Sequence, residues 1–329
     1  MDLRIFFELM HGIENDRIQR AMEKASYAQV YGVGISLVLS LLVLLSSPMQ
    51  LRAETFRDSL GRKVVLAGPP QRIVSLAPSI TEMIYFLGLG DRLVGVTRFS
   101  YFPEQAREKP KVGTYTDVNA EKVVTLNPDL VIATADGNRR ADVEMLEEAK
   151  IPVYVLNPRR VTEIMDAIES VGDLCGVAQR ARVRVASLRQ RIQGVTDAVR
   201  GKGKPLVFLV INVKPLMSVN RNTTHHDIIE MAGGRNMAEG QRITYPRLSL
   251  EEVIRRGPEV IIISSMDRSG EHERARREWF QWDTIPAVRK GHVYLINSDL
   301  IDRAAPRIID GLEEMAKLIH PEIAWNERR

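Results

Sequence analysis

Short apolar runs and longer amphipathic stretches alternate along most of this chain. Residues 56–65 read strand, turn and strand, with Gly61 in the turn. Residues 72–76 (RIVSL) predict a short buried strand. Pro78 and Ser79 then open a helix carrying Met83, Ile84, Phe86 and Leu87, and Gly88 ends it. Strands at 93–96, 129–133 and 152–156 alternate with helices at 121–126 and 141–149, the pattern of a parallel sheet in an α/β lobe. At 162–174 and 177–200 the alternation gives way to two successive helices. The second carries Ala181, Val185, Leu188, Ile192, Val195 and Val199 at spacings of three and four, an apolar stripe on an Arg-rich helix. At 1.5 Å per residue it would run about 36 Å, enough to lie across two lobes; a coiled-coil face is the alternative. Alternation resumes with strands at 205–212, 259–264 and 292–297.

The two halves echo each other. Residues 118–132 read VNAEKVVTLNPDLVI and residues 248–262 read LSLEEVIRRGPEVII. Both give a capping residue, a short helix, a proline turn, an acidic residue and a buried strand, without a gap. Extending the match upstream pairs Tyr115 with Tyr245, each in the loop leading into its helix. Such loops border the ligand crevice of open α/β sheets. The expected fold is α/β: two Rossmann-like lobes, 54–160 and 203–329, joined through a helical linker at 161–202 that contains one long backbone helix, with the ligand cleft between them.

Gly32 begins an uncharged run, GVGISLVLSLLVLL, too short for a comfortable membrane span of roughly 20 residues. It matches the core of an export signal, with Ser46, Ser47 and Pro48 breaking it and a cut expected after Ala53. An uncleaved anchor within 1–53 is the alternative reading, and Met22 is a second candidate start. The net charge of +4 is spread along the chain, which excludes the concentrated basic face of a nucleic-acid binder. A single cysteine, Cys175, rules out an intrachain disulfide and reads as a small core residue. There is no Gly-rich phosphate loop, cysteine cluster or nucleophile–base motif to suggest an enzyme.

The segment from Arg72 to Glu82 (RIVSLAPSITE), then Val94-Gly95-Val96, then 126–133 (LNPDLVIA), resembles the helical-backbone class of periplasmic binding proteins, which serve ABC importers of cobalamin, ferric siderophores, haem and some metals. Residues 299–308 (DLIDRAAPRI) are similar to the closing motif of the cobalamin-binding members. The resemblance spans about 54–322. It implies an exported, monomeric protein without catalysis or cofactor. Its partners would be an ABC permease and ATPase complex in the inner membrane, and its cargo a corrinoid such as cobalamin or, alternatively, a ferric siderophore or haem.

The resemblance also assigns roles. One exposed glutamate on each lobe docks on permease arginines, and Glu82 and Glu251 stand at the matching positions; each also reads as part of a helix start, Ser79 with Glu82 and Ser249 with Glu252 forming capping boxes. Large aromatics of cobalamin binders match Tyr115 and Tyr245, whose flat rings suit a macrocycle. Haem binders place an iron-ligating tyrosine one residue earlier, at Thr114, and a family tryptophan position is Thr134 here. Phe99 and Tyr101 are expected to extend the wall, and Asp299 and Arg303 to bond the ligand's polar edge; Arg303 and Arg307 would equally suit an anionic siderophore. Met217 is a packing residue or a ligand contact. His225 and His226 start a helix, and no metal site is expected, since that would need ligands converging from both lobes.

Overall fold

The computed structural model describes residues 53–265 and 271–325, together with Arg17 and Met22. Both lobes lie in the second of two compact units, 1–52 and 53–329. The apolar run of the expected export signal falls outside the described residues. Among the described residues no helix is long and apolar enough to cross a membrane.

An antiparallel hairpin of β1 (Glu54–Arg57) and β2 (Lys63–Leu66) opens the fold, turning at Gly61 with φ +77. The first lobe holds β3 (Ile73–Ser75), β4 (Leu93–Val96), β5 (Leu130–Thr134) and β6 (Val153–Leu156), all parallel, in the order β4-β3-β5-β6. The second holds β7 (Leu206–Val210), β8 (Arg235–Asn236), β9 (Val260–Ser265) and β10 (Val293–Asn297), again all parallel, in the order β8-β7-β9-β10. Counted from the first strand of each lobe, both sheets run 2-1-3-4. The sequence echo is therefore one topology used twice.

Helices cover both faces of each sheet, which is why the strands read as nearly continuous apolar runs. The first lobe carries α1 (Pro78–Phe86), α2 (Ala120–Thr125) and α3 (Arg140–Glu148). Next come α4 (Val161–Leu174) and α5 (Ala178–Ala198). The second lobe adds α6 (Thr224–Met231), α7 (Leu250–Arg256), α8 (Glu271–Trp279), α9 (Pro286–Arg289), α10 (Ser298–Ile301) and α11 (Ile308–Ile319).

Side chains alternate between faces along each strand. Ile73, Leu130, Ile132, Tyr154 and Leu156 of the first sheet share a single core with Val207, Leu209, Val260, Ile262 and Ile296 of the second. Ala181, Val185, Leu188 and Val195 of α5 belong to the same core. The opposite faces close two separate cores, one with Val74, Val131 and Val153, the other with Phe208, Val210 and Ile261. The apolar stripe of α5 thus packs into a core common to both lobes. Near its start Arg180 Nη1 donates to the Leu87 carbonyl of the first lobe at 2.9 Å. Farther along, Arg191 bonds Asp310 at 2.6 Å and Glu313 at 2.8 Å on α11 of the second. At 21 residues the helix runs roughly 32 Å.

Candidate functional site

The two lobes present the carboxyl ends of their parallel strands, and the loops leaving those ends carry nearly every expected ligand residue. Tyr115 lies between β4 and α2, and Tyr245 between β8 and α7, the equivalent connection of the repeat. Gly137, with φ +136, is where the chain after β5 makes room for the first ring: a Cβ there would sit 2.0 Å from the Tyr115 ring. Asn138 then fixes the loops. Its Nδ2 donates to the carbonyls of Tyr115 at 2.7 Å and Leu76 at 2.9 Å, and its Oδ1 accepts from Thr134 N at 2.8 Å.

Both phenols feel the same first-lobe ion pair, Arg159 on Asp136 at 3.0 Å. Burial first, then the Asp136 charge and Tyr245 itself, push the Tyr115 phenol far above its ordinary value, with Arg159 opposing. Burial, then Asp136, does the same to Tyr245, with Arg159 opposing and Asp302 adding to the rise. Each phenol therefore lies within electrostatic reach of the same ion pair, and burial keeps both neutral. Tyr245 is still 38% exposed, leaving ring surface for a ligand.

Phe99 and Tyr101 sit in the loop after β4, held by a buried hydroxyl chain: Thr97 with Ser100 at 2.9 Å, Thr81 to Ser100 at 3.0 Å, and Ser75 with Thr81 at 2.9 Å. Phe99 is 52% exposed. Tyr101 is committed across the cleft. Its hydroxyl donates to Asp299, 2.7 Å from Oδ1 and 3.0 Å from Oδ2. Burial, and next the bond to that carboxylate, raise its pKa and keep it a donor.

One expectation needs correction here. Glu82 is only 3% exposed and is no docking carboxylate at the surface. It accepts Arg303 Nη1 at 2.9 Å, Arg307 Nε at 2.8 Å and Arg307 Nη2 at 2.8 Å, all from the second lobe. Nor is it in a capping box, because α1 starts at Pro78 with Ala77 as its N-cap and no side-chain cap bond. Arg303 Nη2 also pairs with Asp299 at 2.8 Å, and its guanidinium stands 4.7 Å over the Tyr101 ring. Arg307 stands 3.7 Å over the Phe102 ring. Asp299, Arg303, Arg307, Glu82 and Tyr101 together form an inter-lobe clasp. The sequence reading treated the lobes separately, and nothing local marks a pair 221 residues apart.

Glu251 does lie exposed, in the first turn of α7, where Ser249 is the N-cap and accepts from Glu252 N at 3.2 Å. Its counterpart in the repeat is Glu121, exposed in the first turn of α2, where Asn119 caps through Lys122 N at 2.8 Å. The echo carried that signal. His225 is buried against Asp302, 2.9 Å from Oδ1. His226, Glu230 and Glu239 bring ligand atoms within 4.8 Å of one another, but all three come from the second lobe alone. Met217 is half-buried and bridges Asn212 and Arg247 through its backbone.

With this geometry in place, residues 73–300 match the family model described as periplasmic binding protein. The chain belongs to that family. Among curated relatives of this binding protein, the vitamin B12-binding protein of Vibrio campbellii is 32% identical over 251 residues, covering 76% of this chain and 90% of that one. The crystal structure of the periplasmic vitamin B12 binding protein BtuF of Vibrio cholerae superposes with a TM-score of 0.70 at 30% identity, covering 77% of this chain and 98% of that one. The periplasmic heme-binding protein RhuT from Roseiflexus gives a TM-score of 0.68 at 26% identity, covering 76% and 98%.

Proposed function

We propose that this binding protein is the extracytoplasmic, monomeric substrate-binding component of an ABC importer, and that it captures a corrinoid such as cobalamin and hands it to a membrane permease without chemical change. The observation that carries the cargo is the Tyr115–Tyr245 pair, one tyrosine from either lobe in the equivalent connection of the repeat, with Tyr245 38% exposed. Two flat, amphipathic rings suit the faces of a macrocycle. Phe99, exposed at the rim, would extend the wall. The vitamin B12-binding relatives support the same choice.

In this reading Glu251 and Glu121 replace the expected pair of Glu251 and Glu82 as the carboxylates that meet permease arginines. The clasp and the common core hold the lobes at a nearly fixed angle, so the cleft is largely preformed and binding orders little. Titration calorimetry of the purified protein with cyanocobalamin, a ferric hydroxamate, a ferric catecholate and haemin tests the cargo. Cyanocobalamin should bind at least a hundredfold more tightly than the other three; a tighter fit for any iron chelate would transfer the role to iron uptake.

A further inference from the structure

The duplicated topology creates two crevices, which the two lobes treat differently among the described residues. In a 2-1-3-4 sheet the chain reverses its direction of winding between the first and third strands, and the connections there part at the carboxyl ends. In the first lobe this switch point lies between β3 and β5. Asn138 plugs it, bonding Leu76, Thr134 and Tyr115. In the second lobe the switch point lies between β7 and β9. There a cavity of about 450 Å³ remains among the described residues, bounded by Asn212 and Lys214 after β7, Ser264 of β9, Ser298 after β10, and Arg274 and Glu278 on α8.

Several polar groups of this cavity have bonding capacity left for a ligand. Ser298 is 2% exposed, lines the cavity, and its hydroxyl is buried without a hydrogen-bond partner. A lone buried hydroxyl is costly unless something fills its bonding capacity. Asp302 at the cavity wall is already satisfied: Ser264 Oγ lies 3.0 Å from Oδ2 and His225 Nε2 lies 2.9 Å from Oδ1. Lys214 and Arg274, both exposed at the mouth, form no ion pair with a carboxylate among the described residues. Glu278 and the Asn212 side chain supply acceptors beside them. The cavity lies beside the inter-lobe clasp, since Asp302, which lines it, directly precedes Arg303.

Two cations without a carboxylate partner among the described residues, an orphan hydroxyl donor and neighbouring acceptors complement a group that is anionic and carries hydroxyls, which is the chemistry of a sugar phosphate. Resting on the corrinoid reading, we propose that this cavity is a subsite for the phosphodiester and sugar of the cargo's nucleotide appendage, so that the protein prefers complete corrinoids over those lacking that appendage. Arg274 and Lys214 take the phosphodiester charge, Ser298 donates to an oxygen at the cavity wall, and Glu278 and Asn212 accept from the sugar hydroxyls.

The test is calorimetry of the purified protein and of the Lys214→Ala/Arg274→Ala double variant with cyanocobalamin and with dicyanocobinamide, which lacks the nucleotide. Both side chains are exposed, so the double variant should keep the parent melting temperature. The parent should bind cyanocobalamin at least tenfold more tightly than cobinamide. The double variant should lose that preference through weaker cobalamin binding, with cobinamide unchanged. Equal parent affinities, or equal weakening toward both ligands, would overturn the subsite. Should neither corrinoid bind, the cargo reading fails, and ribose 5-phosphate decides the subsite separately: shifts in the amide NMR signals of 211–214 that vanish in the double variant support it, and no shifts overturn it.

Discussion

Arg307 reaches across from the second lobe and lays its guanidinium fork on the carboxylate of Glu82 in the first, Nε to Oε2 at 2.8 Å and Nη2 to Oε1 at 2.8 Å. Arg303 completes the set at 2.9 Å. Removing one partner of a buried pair leaves the other charge unpaired, a loss of about 3–5 kcal/mol. Glu82→Ala should therefore destabilise the protein by that amount in urea denaturation. A loss near zero would mean the clasp contributes little to holding the lobes.

Gly137 offers a way to move Tyr115 without mutating it. A Cβ at this position meets the ring at 2.0 Å, and φ +136 is a conformation L side chains rarely adopt. Gly137→Ala should displace the ring and weaken ligand binding by tenfold or more. Gly203→Ala, where an added Cβ meets nothing within 4 Å, should leave affinity unchanged. Equal affinities for both variants would argue that Tyr115 does not touch the ligand.

Much of this fold was legible because its signals are local. Short, nearly continuous apolar runs gave the strands, and the three-and-four spacing of Ala181, Val185, Leu188, Ile192 and Val195 gave the long helix. The echo gave the tyrosine pair, since equal spacing in both halves fixes equal topological places. What stayed hidden depends on partners distant in sequence. Glu82 looked exposed because Ser79 three residues before it resembled a cap, whereas the helix begins with Pro78 and the carboxylate is claimed by arginines more than 220 positions later. Asn138 and Gly137 sit in an ordinary polar turn, and only the packed structure shows what they hold.

Cys175 should be chemically silent in the folded protein. It is buried, and burial pushes its thiol from 9.0 up to about 12. Below pH 9 both folded and unfolded chains keep the proton, so the group does not change stability with pH. Above pH 9 the unfolded chain releases a proton that the folded one retains, so stability must fall as pH rises through the window from 9 to 12. An aromatic disulfide reagent at pH 8 should label the thiol only in denaturant. Rapid labelling of the native protein would contradict the burial.

Docking and clasping are separable by mutation. Glu121 and Glu251 occupy equivalent first turns and are exposed, while Glu82 is enclosed. The Glu251 carboxyl is held below its ordinary value by its own backbone amide, then by the Ser249 hydroxyl, so it keeps its charge as the medium becomes mildly acidic. Reversing both charges, Glu121→Lys with Glu251→Lys, should abolish uptake into proteoliposomes carrying the permease and ATPase while leaving ligand affinity and melting temperature intact. Charge patches of this kind set orientation and encounter rate more than the strength of a buried core. Raising salt should therefore slow association of the parent protein with the permease and barely affect the double variant. If instead the double variant transports normally, or loses ligand affinity in step with transport, these two carboxylates do not form the docking pair.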